Sequence, residues 1–135
     1  MGCDIHGVVE RKVKGKWIAC NILRADDTAT DRNYGRFAAL ANVRGDGPEP
    51  KGFPDDASDT STLLRDEWNG DGHSHSWLPL AEAAKIFAET QWFPPTEKAD
   101  AFPKKDWVQK YPAYHYFRVE DYDVGDCRLV FWFDN

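Results

Sequence analysis

The placement of proline constrains this chain more than any other feature. Pro48, Pro50 and Pro54 stand among Gly45, Gly47, Gly52 and several aspartates, so residues 45–62 cannot form a regular core element. Pro94, Pro95, Pro103 and Pro112 break the aromatic stretch 91–112 in the same way. Regular structure is left to the two ends of the chain and to short windows between these breaks.

At the N-terminal end, residues 3–13 carry Ile5, Val8 and Val9 and read as a strand. A turn at Val13-Lys14-Gly15-Lys16 returns the chain along residues 17–23, which makes a hairpin. Near the other end, residues 113–122 and 127–134 are aromatic and β-branched on either side of Asp123-Val124-Gly125-Asp126, the pattern of a second hairpin. Two windows have helical spacing. Tyr34, Phe37, Ala38 and Ala41 fall at i, i+3, i+4 and i+7, widened by Leu40, with Asp31 as a cap and Gly45 as a stop. Leu80, Ala83, Ala84 and Phe87 form a second stripe, with Pro79 fitting its first turn. Leu63 to Trp68 suggests no more than a helical turn. The expectation is one α+β domain over residues 1–135: a mostly antiparallel sheet from N- and C-terminal hairpins, two helices on one face, and a long irregular loop over about 45–76.

Composition narrows the function classes. Six Trp, five Tyr and eight Phe in 135 residues demand a core and argue against disorder. With 17 basic and 23 acidic residues and no basic run, general binding to nucleic-acid backbone is not expected. Cys3, Cys20 and Cys127 have no CxxC spacing and suit a reducing, cytoplasmic compartment. No apolar run is long enough to span a membrane.

The chemistry concentrates in two short motifs. Asp4 and His6 are two apart, as are His73 and His75 in Asp71-Gly72-His73-Ser74-His75-Ser76. On a strand each pair projects from one face. Asp4, His6, His73 and His75 together would suit a divalent metal, zinc or manganese, with Asp71 orienting a ligand or acting as base. The second motif runs toward a helix N-terminus, where Ser74, Ser76 and backbone N–H groups could hold a phosphate or carboxylate with His75 as acid or base. Arg32, Asn33 and Tyr34 are candidate anion contacts, and Asp55 and Asp56 are weaker carboxylate candidates. Bland readings stand beside these: a satisfied partly buried His6, and Ser76 as an ordinary helix cap. Cys3 and His6, three apart, would face opposite sides of a strand, which disfavours a cysteine nucleophile.

Taken as a set, several stretches resemble a known family. They are Met-Gly-Cys-Asp-Ile-His at the start, Arg-Asn-Tyr-Gly-Arg-Phe-Ala-Ala-Leu-Ala-Asn-Val-Arg, Gly-Phe-Pro-Asp-Asp-Ala-Ser, Asp-Gly-His-Ser-His-Ser-Trp-Leu, and the closing Val-Phe-Trp-Phe-Asp-Asn. This is the "MGCDIH" family of small proteins of bacteriophages, prophages and some bacteria. The resemblance implies a phage-type or bacterial intracellular protein. It also associates both histidine motifs with Asn33-Tyr34, Pro54-Asp55 and Asp134-Asn135. Polar residues shared by loops and chain ends suggest a common site. One departure is Pro79, where a Ser or Thr cap is expected.

Two functions follow as expectations. The first is a metal-dependent hydrolase of a phosphoester, such as a nucleotide or a nucleic-acid end. The second is a non-enzymatic accessory protein that inhibits a host defence protein or sequesters a nucleotide; Trp92, Phe93, Phe102 and Trp107 would be its interface if exposed, although burial in the core is the more ordinary place for them.

Overall fold

The structure is a computed structural model that describes residues 2–23, 32–68, 70–90 and 124–134. Strand β1 (Asp4–Val13) turns through Lys14 and Gly15 into β2 (Lys16–Ile22). Both turn residues have positive φ, 51° and 79°, the backbone that a two-residue hairpin linking right-twisted strands needs. Helix α1 (Tyr34–Ala41) follows, then α2 (Asp59–Glu67), β3 (Gly72–Pro79), α3 (Leu80–Glu89), a 3₁₀ turn at Val124–Asp126 and β4 (Cys127–Asp134).

The four strands form one sheet in the order β2-β1-β4-β3, with every neighbouring pair antiparallel. The α+β architecture expected from the sequence is therefore present, with its N-terminal hairpin. The C-terminal strand is central: β1 pairs along one edge of β4 and β3 along the other. The expected first arm of a C-terminal hairpin, residues 113–122, lies outside the described residues, as do Trp92, Phe93, Phe102 and Trp107.

Alternation along β4 sorts the layers. Leu129, Phe131 and Phe133 point to one face, where they pack with Ile5 and Val9 of β1, Phe37, Leu40 and Ala41 of α1, and Leu80, Ala83, Ala84 and Phe87 of α3. The helical stripes read from the sequence are buried here as expected. Asn33, not Asp31, caps α1: its Oδ1 accepts from Arg36 N at 3.0 Å. The helix ends at Asn42, whose left-handed φ of 59° stops it before Gly45. The buried Arg36 ties α1 to α3 by donating to Phe87 O at 3.1 Å and Thr90 Oγ1 at 2.9 Å.

Val8, Val130 and Trp132 face the other way, beneath Phe53, Leu64 and Trp68. Here α2 interrupts the stretch expected to be irregular. Ser58 caps it, accepting from Ser61 N at 3.1 Å, and only Ser61 within it is buried. A buried ion pair fastens this helix to the sheet. Glu10 accepts from Arg128 Nε, Ser58 N and Ser61 Oγ, each at 2.7 Å. Arg128 also pairs with Asp56 at 3.0 Å and lies 3.9 Å from the centre of the Trp17 ring. Asp56 is thus a tether for the loop. Burial opposes its ionisation, but Arg128 and the Trp17 indole N–H hold its pKa below the ordinary value.

The outer edge of β3 is not left open. Gly52 N donates to His75 O at 2.8 Å and Lys51 N to Ser76 Oγ at 3.0 Å, so the proline-rich loop runs along this strand. Among the described residues, no helix is long and apolar enough to cross a membrane.

Candidate functional site

The histidine pair of β3 sits on a bulge. His73 pairs with Phe133 and Ser76 with Phe131, so Ser74 and His75 both stand opposite Trp132. Ser74 occupies the bulge position with φ of 55°, a left-handed backbone usually given to glycine. Holding serine there costs about 1–2 kcal/mol. The extra residue reverses the parity that the sequence spacing suggests. His73 stacks on Phe133, on the α1/α3 face, with ring centres 6.2 Å apart. His75 stacks at the same distance on Trp132, which belongs to the α2 face. Two histidines expected on one side of a strand are divided between two sides of the sheet.

That division keeps the four expected metal donors apart. His6 lies on the α2 face under Trp68, with ring centres 4.2 Å apart, and its Nε2 bonds Asp134 Oδ1 at 3.1 Å. Trp132 is 6.1 Å from His6 and 6.2 Å from His75, as the aromatic neighbour of both. Asp4 is half-buried and forked by Arg32, at 2.9 and 3.4 Å, and this bond leads the causes that lower its pKa. Among the described residues, no group of three or more His, Cys, Asp or Glu is arranged to hold a metal ion. With His73 on the face opposite His6 and His75, the set Asp4, His6, His73 and His75 does not come together as one zinc or manganese centre.

Other expected contacts are also occupied elsewhere. Asn33, besides capping α1, donates to the carbonyl of Thr90. Tyr34 packs beside the α1/α3 core, and its hydroxyl accepts from Cys3 N at 3.4 Å. Asp71 is exposed in the turn after α2, where its backbone N–H donates to Trp68 O at 3.0 Å. Ser76 is buried in the strand and α3 begins at Leu80 with Pro79 as its uncapped N-cap, so Ser74 and Ser76 do not form a helix N-terminal anion site. Cys3 is fully buried and its thiol pKa is raised by that burial.

What the bulge does build is a recess of about 370 Å³ lined by Pro50, Gly52, Phe53, Arg65, Ser74 and His75. Phe53 forms an apolar wall, 6.1 Å from His75 and nearly perpendicular to it. The Arg65 guanidinium lies 4.3 Å from the centre of the same ring. One edge of that guanidinium donates to Asp66 Oδ1 at 2.9 and 3.1 Å, while Nη1 has no partner among the described residues. Burial lowers the pKa of His75 from its ordinary 6.5, and the charge of Arg65 lowers it further, so its surroundings favour the neutral imidazole. Gly72 lies close beneath it, and a Cβ there would crowd the Trp68 carbonyl at 3.3 Å.

Arg65 was not legible as a site residue, because it sits on a helix whose sequence shows no apolar stripe. Phe53 belongs to the Gly-Phe-Pro-Asp-Asp-Ala-Ser stretch, which was the available signal. No family model, no curated protein and no solved structure matches this chain.

Proposed function

We propose that this chain binds a small phosphorylated ligand in the recess at the β3 bulge and hydrolyses its phosphoester. One observation carries the reading: an imidazole, His75, and a guanidinium, Arg65, line the same recess. A guanidinium matches phosphate oxygens through paired N–H donors, and it keeps its charge at any working pH. A neutral imidazole can take a proton from an attacking water. Phe53 and Pro50 supply apolar surface for the organic part of the ligand, such as the ring of a nucleotide. The cytoplasm of a bacterial host, as the setting, is supported by the phage-type resemblance and by three cysteines without CxxC spacing.

The test separates binding from turnover. Calorimetry with inorganic phosphate and with nucleoside monophosphates should show binding that weakens about tenfold in Arg65→Gln, a change of about 1.4 kcal/mol. Hydrolysis of an aryl phosphate should be lost in His75→Gln while phosphate still binds. Turnover untouched by both substitutions would reject the reading.

A further inference from the structure

Ser74, which lines the recess, also meets a side chain outside that lining, His73, in a geometry that anion binding does not require. Ser74 Oγ and His73 Nδ1 are 3.0 Å apart. The other ring nitrogen, Nε2, is buried without a hydrogen-bond partner among the described residues, so Ser74 is the polar contact of this imidazole. Ser74 also lines the recess beside Arg65 and His75. A hydroxyl within hydrogen-bond reach of an imidazole, on a residue of left-handed backbone that lines a recess, is the arrangement of an activated serine.

We infer that Ser74 is a nucleophile whose proton passes to His73, so that hydrolysis runs through a phosphoserine intermediate. The inference rests on the phosphoester reading above and adds the covalent route. In the first step the Ser74 Oγ–P bond forms, the P–O bond to the leaving group breaks, and the serine proton moves to His73 Nδ1. The leaving group departs as an alkoxide or aryloxide into the open recess. In the second step His75 takes a proton from water, the resulting hydroxide forms a bond to phosphorus, and the P–Oγ bond breaks. Ser74 recovers its proton from His73. The proton on His75 passes through solvent to the departed oxyanion, which balances the reaction as phosphoester plus water giving alcohol plus phosphate. Arg65 faces the phosphoryl oxygens throughout.

A fluorophosphonate probe tests the serine directly, because loss of fluoride leaves a stable adduct that does not depend on finding the natural substrate. Peptide mapping by mass spectrometry should place one adduct on Ser74. Ser74→Gly, which suits the left-handed backbone and so preserves the fold, should abolish it. His73→Gln should slow labelling about a hundredfold. Millimolar inorganic phosphate should protect wild-type protein but not Arg65→Gln. Absence of an adduct at Ser74, or labelling indifferent to His73→Gln, overturns the inference, and the phosphoester reading survives if phosphate binding and hydrolysis persist. Labelling of Ser74 that depends on His73 but ignores phosphate supports the nucleophile and rejects the phosphoester.

Discussion

The two faces of the sheet are covered by different chemistry. On one, α1 and α3 press apolar side chains onto Ile5, Val9, Leu129, Phe131 and Phe133, and all of these are buried. On the other, the apolar cluster is three strand residues wide, and the cover of α2 and the proline-rich loop is held down by Glu10, Arg128 and Asp56. The first face has a contact layer that any close-packed core could supply. The second combines burial with charge, and the recess lies on it. A face secured by directional bonds can carry polar side chains beside a cavity, whereas a close-packed face would have to fill that cavity.

The largest effect that would sharpen this contrast is on the apolar face. Phe133→Ala should cost about 3–5 kcal/mol, read from urea unfolding, because Phe133 is fully buried against Phe37 and Phe131. Removing the anchor of the other face should approach it by a different route. Glu10→Gln removes the buried carboxylate facing Arg128 and leaves it only the exposed Asp56, which should cost about 3 kcal/mol. The double variant Glu10→Leu/Arg128→Met should recover part of that loss, since apolar residues can replace the buried ion pair but not the acceptor of Ser58 N and Ser61 Oγ. No comparable rescue is expected on the apolar face. If the double variant is no more stable than Glu10→Gln, the pair does more than hold the cover down.

Smaller effects concern pH. The folded pKa of His75 is below its unfolded value of 6.5, so the unfolded chain binds more protons between the two. Its contribution is complete above about pH 6.5 and is lost as pH falls from there through the folded pKa. The unfolding free energy of wild type should therefore decline on acidification through this window more steeply than that of His75→Gln. Smallest is the Asp4–Arg32 pair, about half exposed on both sides. The depressed pKa of Asp4 favours the folded state above its ordinary range near 3.8 and loses that contribution on further acidification. Asp4→Asn should leave the thermal midpoint at neutral pH and moderate salt unchanged, and a clear drop would show that the pair anchors this end of the sheet.

How much of this was legible in the sequence depended on the range of the signal. The helix stripes at Phe37, Leu40 and Ala41 and at Leu80, Ala83, Ala84 and Phe87 were readable because spacing within one element decides which residues face the core. The β1–β2 hairpin was readable because Lys14-Gly15 is a local turn signal. Helix α2 was obscured because Asp59-Thr-Ser-Thr-Leu-Leu-Arg-Asp-Glu has no wide apolar stripe; its cap, Ser58, bonds a glutamate 48 residues earlier. The bulge left no trace, since serine stands where glycine would have announced it. That one inserted residue moved His73 away from His75 and changed which side chains could share a site. Glu10 and Arg128 are 118 residues apart, beyond any local pattern.

The central position of β4 also sets the order in which the molecule can be assembled. The β1–β2 hairpin and β3 are not neighbours in the sheet, and they meet only through a strand that begins at Cys127. Its pairing with β1 joins Asp4 to Asp134, a closure across most of the chain. While the chain is emerging from a ribosome, β1 and β3 wait with unpaired edges that another chain could capture. Folding should accordingly be slow for a protein of this size, governed by a late, long-range insertion, and chaperone demand should fall on the interval before that strand arrives.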